Sequence, residues 1–455
     1  MKVLKFGGTS VGSAERIKNV ARLVAPRGKN IIVLSAMSGT TNTLVEICDY
    51  LYKKNQAGAR ETTNALQAKY ADVIAELFKA PAGSGAGTRG GAMMSAAADE
   101  ARAWATAQVE RCFADIRSLM SVEFSEIDEK EILAQGELIS TALMLAYLKF
   151  TGTRAVMLPA LKYMRTDANG EPDYKYIATR LKRLVDMHPE AEIYITQGFI
   201  CRNEYGDIDN LQRGGSDYTA SIVGAALELE EIEIWTDIDG MHNNAPRFVE
   251  GPRPVEELHF EEAAELAYFG AKILHPACVL PARLHNIPIR LLNTMQPSAP
   301  GTLIHATATA SEAKAVSARD GVTCIHIKSG RMFLAYSFLL KVFETFERHR
   351  TPIHLVATSE VGVTVTVDST PRIDDIVDDL MNFGTVSVDR DMTIVCVVGG
   401  LEWHNAGVAT SAVDALADIP VRMISYGGSN YNIALVVSAA DKVRALNSLS
   451  HRLFG

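Results

Sequence analysis

Through roughly the first 290 residues, short β-branched and apolar runs alternate with helix-period stretches, as in "NIIVLSA" (30–36), "AEIYITQGFI" (191–200) and "IEIWTDIDG" (232–240). These runs are apolar largely on consecutive rather than alternating positions, so both faces of the resulting sheet should be covered. Helical segments supply the cover: Ile17, Val20, Ala21 and Val24 share one face of a helix that Ser13 is placed to cap. The expected class is an α/β sandwich around a mainly parallel central sheet.

At 455 residues the chain exceeds one ordinary core, and about 150 residues per domain suggests two or three. Residues 81–105 pass from Gly-rich to Ala-rich, which reads as a loop joining two helices of an insertion over about 55–130. A Pro-, Ser-, Thr- and Ala-rich stretch ends the α/β pattern, so the expected division is a domain over 1–295 and a linker over 296–315. Beyond it a strand–helix–strand plan occurs twice, from "VTCIHI" (322–327) to "GVTVTVDS" (362–369) and from "MTIVCVVGG" (392–400) to "YNIALVVSA" (431–439). Corresponding strands lie about 70 residues apart, which fits a duplicated small module, first copy 316–385 and second 386–455, in tandem or nested. Such a pair serves ligand sensing, dimerisation or plain stabilisation.

Composition excludes several function classes. The net charge of −9 argues against a surface that coats nucleic acid, while leaving room for a local pocket that takes a small phosphate. No run of about 18 apolar residues suggests a membrane span, and the first residues lack a signal-type apolar core, so a cytoplasmic location is expected. Cys48, Cys112, Cys201, Cys278, Cys324 and Cys396 are scattered, which argues against a zinc knuckle or a disulfide framework.

Candidate chemistry gathers where strands end. Lys5 closes "VLKF", and Gly7, Gly8, Thr9 and Ser10 form the turn into the next helix. Glycines let backbone N–H groups approach an anion, and a helix N-terminus adds partial positive charge, so this turn outlines a phosphate cradle. A tight strand-to-helix turn with a solvated lysine is the plainer alternative. "LSAMSGTTN" (34–42) adds Ser35, Ser38, Gly39 and Thr41 at a second strand end, where helix capping competes with ligand contact. In "LQRGGSDYTA" (211–220), Arg213 offers a fork for a carboxylate or phosphate, with Ser216 and Asp217 at a helix start. Glu137, in "LAQGELISTALMLAYL" (133–148), opens an apolar stretch, where either ligand contact or the helix dipole accounts for it. Thr236, Asp237 and Arg247 in "IWTDIDGMHNNAPR" (234–247), with Lys272 in "YFGAKILHPA" (268–277), offer hydrogen-bonding groups and cations suited to a nucleotide.

"KFGGTSV", "GELIS", "RGGSDYTA", "TDIDG" and "FGAKILHP", in this order, resemble the aspartate kinases of the amino acid kinase family in their monofunctional form with two ACT modules. The resemblance spans essentially the whole chain. It implies transfer of the γ-phosphoryl group of ATP, with Mg²⁺, to the side-chain carboxylate of L-aspartate. By motif, Lys5, Gly7 and Gly8 would face the transferring group, with Thr9 and Ser10 nearby and Asp217 orienting Lys5. Glu137 would meet the substrate ammonium and Arg213 its α-carboxylate, while Ser35, Thr41, Phe199 and Ser216 complete the pocket. Thr236, Asp237, Arg247 and Lys272 would line the nucleotide site, although His242 and Ala245 depart from the usual loop.

The resemblance further implies a homodimer built through the ACT modules and an effector, L-lysine or L-threonine, held around Ser337, Phe338, Leu339, His354, Thr358, Ser359 and Glu360. His354 stands where lysine-inhibited relatives carry an aspartate, and Ser337 where they often carry glycine. Other readings are a kinase of the same fold with another acceptor, such as glutamate, and a non-catalytic amino acid sensor.

Overall fold

Val3–Phe6 (β1) has every side chain buried, and Ser13 caps Ala14–Val24 (α1) by accepting the Arg16 N–H at 3.3 Å. The computed structural model describes residues 1–79, 89–120, 123–211, 214–271, 273–307, 313–329, 335–359, 361–402 and 406–455. These form two units: Met1–Gly240 with Ile273–Ala306, and Met241–Lys272 with Thr307–Gly455.

In the first unit α1 is followed by Asn30–Leu34 (β2), Thr40–Tyr52 (α2), Gln56–Leu77 (α3), Arg89–Leu119 (α4) and Glu126–Phe150 (α5). Ala155–Met157 (β3), Tyr174–Asp186 (α6), Ile193–Gln197 (β4), the hairpin Ile200–Arg202 (β5) and Ile208–Asn210 (β6), Gly215–Ala226 (α7) and Ile232–Thr236 (β7) come next. Glu257–His259 (β8) and Phe260–Tyr268 (α8) belong to the second unit, before the chain returns to the first for Pro276–Leu284 (α9), Ile289–Asn293 (β9) and Thr302–His305 (β10).

The sheet of the first unit runs β3-β4-β2-β1-β7-β9-β10, parallel except for β10, which pairs antiparallel with β9. This is the expected architecture. Leu4, Phe6, Ile32 and Leu34 pack on Ile17, Val20, Ile47 and Leu143 from the helices of one layer. Leu66 and Tyr70 of α3 and Phe113 and Ile116 of α4 extend the same core, so the helices read as an insertion are an integral part of it. The expected linker also differs: Thr302–His305 forms a strand there because Ile304, fully buried, completes the sheet beside Ile289.

Residues 241–272 depart from the expected 1–295 domain. Val249 joins Val316, Leu416 and Leu446 in the core of the second unit, and Asn243 O accepts the Val316 N–H at 2.8 Å. The rest of that unit is Ala313–Ser329 (β11), Ala335–Arg348 (α10), Ile353–Ser359 (β12), Gly362–Asp368 (β13), Ile373–Met381 (α11), Gly384–Gly399 (β14), Ala406–Asp414 (α12), Val421–Tyr426 (β15), Asn432–Ser438 (β16) and Lys442–Phe454 (α13). Its strands run β12-β13-β11-β14-β16-β15.

β11 and β14 pair from Ala313↔Gly399 to Ser329↔Gly384, and both change register near the middle, where Gly321 (φ +70°) and Asp391 (φ +55°) adopt left-handed conformations. Residues 322–328 of β11 also pair with β13, over a core of Ile325, Val342, Val365 and Ile376. Residues 392–398 of β14 pair with β16, over a second core of Val316, Val395, Leu435 and Leu446. The duplicated modules therefore interleave, the first lying within the second, rather than dividing at residue 385.

Candidate active site

Lys5 is held between Val33 and Ile234 of the neighbouring strands and is only 8% exposed. Its Nζ is ion-paired with Asp217, which stands in the first turn of α7, where the helix terminus favours a carboxylate. After Phe6 the chain turns so closely over the next strand end that a Cβ on Gly8 would lie 2.7 Å from Ala36 O. Glycine is required there. Gly7 sits beside the lysine, where an added Cβ would lie 3.6 Å from Nζ.

The turn does not use all its polar groups as expected. Ser10 is fully buried, its Oγ bonded to Thr294 Oγ1 at 2.7 Å and its N–H to Gly7 O at 2.9 Å. Both groups are committed to the fold, which removes Ser10 from the ligand contacts. Thr9 O accepts from Arg16 Nη1, tying the turn to α1.

Glu137 lies midway along α5, eleven residues after Glu126, so the helix dipole does not account for it. The helix instead starts at Ser125, whose capping box with Asp128 satisfies the terminus. Glu137 is 4% exposed; its Oε1 accepts the Ala36 N–H at 3.0 Å, and its Oε2 has no hydrogen-bond partner among the described residues. Burial pushes its carboxyl up to about 8, against the opposing pull of the Ala36 N–H and Lys5. One helical turn on, Ser140 Oγ donates to Ser35 O at 2.8 Å and fastens α5 to the end of β2.

These groups share a cavity of about 360 Å³ at the carboxyl ends of β1, β2 and β4, where an open parallel sheet presents its ligand crevice. Of the residues expected in the site, Lys5, Gly8, Ser35, Thr41, Glu137, Phe199, Ser216 and Asp217 line it. Phe199 adopts φ +66°, a costly conformation for an aromatic residue, and is held by its N–H to Thr219 Oγ1 at 3.1 Å and its carbonyl from Leu211 N at 2.7 Å. Ala36, Met37 and Asn42 also line the cavity and were not anticipated, since an alanine N–H or a methionine carries no chemical signature in sequence.

Other expected positions fall elsewhere. Arg213, Lys272 and Glu360 lie outside the described residues. Thr236 ends β7, with Oγ1 accepting the Ile238 N–H at 2.9 Å, and Asp237 is exposed beside it. Arg247 belongs to the second unit, its guanidinium 5.4 Å over the Phe248 ring.

Of the expected effector residues, Ser337 lies in the first turn of α10, Phe338 packs on the first-module core and Leu339 is exposed. Thr358 and Ser359 end β12, exposed. His354 is committed inside the second unit: Nδ1 lies 3.0 Å from Tyr268 Oη and Nε2 3.0 Å from Asp368 Oδ1, while Arg319 clasps the same carboxylate at 2.9 and 3.0 Å. Burial, reinforced by Arg319, holds the His354 imidazole below its usual range.

Residues 1–293 match the amino acid kinase family, and residues 395–453 match the ACT domain. A curated relative, aspartokinase 3 (chloroplastic) of Arabidopsis thaliana, is 34% identical over 98% of this chain and 81% of that protein. The chain belongs to the aspartokinases of the amino acid kinase family. This aspartokinase also resembles two crystal structures of E. coli aspartokinase III, each 30% identical and covering the whole of both chains. One, in complex with aspartate and ADP (R-state), superposes with a TM-score of 0.84, and the other, with lysine and aspartate (T-state), with 0.74. The aspartokinase fold here thus comprises the α/β sandwich and the ACT-type sheet expected from sequence.

Among the described residues one helix, α5, is long and apolar enough to cross a membrane, but it is the buried helix that carries Glu137.

Proposed function

We infer that this aspartokinase transfers the γ-phosphoryl group of ATP to the side-chain carboxylate of L-aspartate, forming 4-phospho-L-aspartate. The observation that carries this is the convergence of Lys5, Asp217 and Glu137 on one small cavity. A carboxylate nucleophile is already ionised near neutral pH, so the protein has no proton to remove. Its task is to hold two anions against their repulsion and to neutralise charge spread over the transferring group. Lys5, fixed by Asp217, would supply a positioned cation, and the turn around Gly7 and Gly8 lets backbone approach.

Glu137 would take the substrate ammonium and Arg213 the α-carboxylate, a pairing that selects a free α-amino acid. Ser35, Thr41, Phe199 and Ser216 would shape the pocket, and Thr9 would lie nearby. Thr236, Asp237, Arg247 and Lys272 would bind the nucleotide. The aspartate and ADP bound by the E. coli relative support these roles.

Among the described residues no three His, Cys, Asp or Glu side chains converge on a point that would hold a metal. Mg²⁺ would be carried on the nucleotide's phosphates and water, which needs few ligands from the protein. When bound there, the ion would add to the charge neutralisation supplied by Lys5.

L-Lysine is the favoured effector, because the T-state E. coli relative holds it; L-threonine is the competing outcome. Pairing of ACT modules between two copies would build a homodimer. Incubation with Mg-ATP and L-aspartate, followed by hydroxylamine trapping of acyl phosphate, tests the activity. A signal with L-glutamate alone would reassign the acceptor, and none with either would refute the kinase reading. L-Lysine and L-threonine added separately to the same assay decide the effector.

A further inference from the structure

The buried carboxylates of the first unit are not treated alike. Glu233 is bonded by Lys2, Arg27 and the Trp235 indole N–H, and Glu231 by Lys2 and Arg290. Glu137 receives one backbone N–H on Oε1, and among the described residues Oε2 receives nothing. An ionised carboxylate stripped of water costs several kcal/mol unless a cation or several donors replace the lost hydration.

Among the described residues, the groups around Glu137 do not provide that replacement. Lys5 on β1 is ion-paired with Asp217 on α7. Tyr70 on α3 engages the Thr40 hydroxyl of α2, at 2.7 Å. On α5 itself, Ser140 and Thr141 direct their hydroxyls to the carbonyls of Ser35 and Glu137.

We propose that Glu137 holds a proton while the cavity is empty and releases it to solvent when a substrate ammonium docks, so that binding of the amino acid expels one proton. This rests on the reading of the cavity as the amino acid site. The balance is simple: a neutral carboxylic acid and an ammonium become a carboxylate–ammonium pair, and the proton passes to buffer. With the free carboxyl pushed up to about 8, the acid form prevails near neutral pH. An ammonium in contact supplies the missing partner for Oε2 and draws the carboxyl back to its ionised form.

Two consequences follow. Affinity for an ammonium-bearing ligand rises by about tenfold per pH unit below the titration of free Glu137 and levels off above it. A dicarboxylate without the ammonium gains nothing from this exchange, so the site rejects it by leaving the acid unconverted.

Calorimetric titration of the whole enzyme with L-aspartate near pH 7, in PIPES, HEPES and Tris, measures the protons released from the dependence of the heat on buffer ionisation. Wild-type enzyme is expected to release close to one proton and to bind about tenfold more tightly near pH 7 than near pH 6. Glu137→Gln is expected to bind more weakly, with buffer-independent heats and a flat pH profile. Succinate, which lacks the ammonium, should release none. Buffer-independent heats with wild-type enzyme, a flat wild-type profile, or undiminished release in Glu137→Gln would overturn the proposal while leaving the amino acid site intact. Failure of the folded enzyme to bind L-aspartate at all would instead remove the underlying reading, and the proposal with it.

Discussion

Gly214 packs against His275 so tightly that a Cβ on the glycine would lie 2.3 Å from His275 Cβ. Gly214 also has φ +76° and is the N-cap of α7, the helix that carries Asp217. Gly28, at φ +73°, meets nothing within 4 Å. The two positions separate backbone strain from collision. Gly28→Ala is expected to cost about 1–3 kcal/mol, the penalty for a side chain at φ +73°, ψ −151°, a region essentially confined to glycine. Gly214→Ala adds overpacking of about 1–3 kcal/mol and displaces Asp217. The acyl-phosphate assay should show a loss of activity in folded Gly214→Ala and little in folded Gly28→Ala, and equal losses would refute the packing argument.

Lys5 supplies its charge where transferred charge develops rather than where the amino acid is gripped. Lys5→Ala is expected to lower kcat by about 100- to 1,000-fold, the effect of removing one preorganised stabilising donor. Aspartate affinity measured calorimetrically should change much less. A variant with normal turnover would remove Lys5 from the chemistry.

On β7, Glu233 accepts from the buried Trp235 indole N–H at 2.8 Å and pairs with Arg27 and Lys2. Both cations are about one-third exposed and can turn to water when the carboxylate is removed, whereas the indole cannot. Glu233→Ala should therefore cost about 2 kcal/mol in urea unfolding, the range for an orphaned buried donor. That falls below the 3–5 kcal/mol typical when a fully buried pair is broken. A loss above that range would mean that Arg27 and Lys2 fail to rehydrate.

His354, enclosed by Tyr268, Asp368 and Arg319, gives the second unit a pH dependence of defined sign. Burial and Arg319 lower its pKa in the fold, so the unfolded chain binds the proton more readily. Its contribution is complete above about 6.5, the ordinary histidine value, and is lost as pH falls from there through the folded value. The thermal midpoint should drop on acidification below about pH 6.5, and His354→Gln should flatten that part of the curve. An unchanged slope in the variant would assign the titration to other groups.

How much of this was legible in advance depends on how local each signal is. The consecutive apolar runs at 31–34 and 193–195 specified buried parallel strands, and Ser13 with the spacing Ile17, Val20, Ala21, Val24 specified α1, because capping and periodicity act within a few residues. Glu137 was misplaced at a helix start, because the capping signal that begins α5 is Ser125 with Asp128, twelve and nine residues upstream. Ser10, chemically suited to a phosphate, is occupied by Thr294, a partner 284 positions away. Interleaving was one of the two arrangements the repeat allowed, and the choice depends on where β11 and β14 change register rather than on residue type.

The sequence by itself determined the classes of element, the layered architecture and the residues able to carry phosphoryl chemistry, because patterning and side-chain type are properties of short segments. Only the tertiary structure decided which of those groups are free to act. It paired Lys5 with Asp217, spent Ser10 and His354 on the fold and left Glu137 buried with one oxygen unmatched among the described residues, because desolvation and charge pairing depend on neighbours that folding brings from distant parts of the chain.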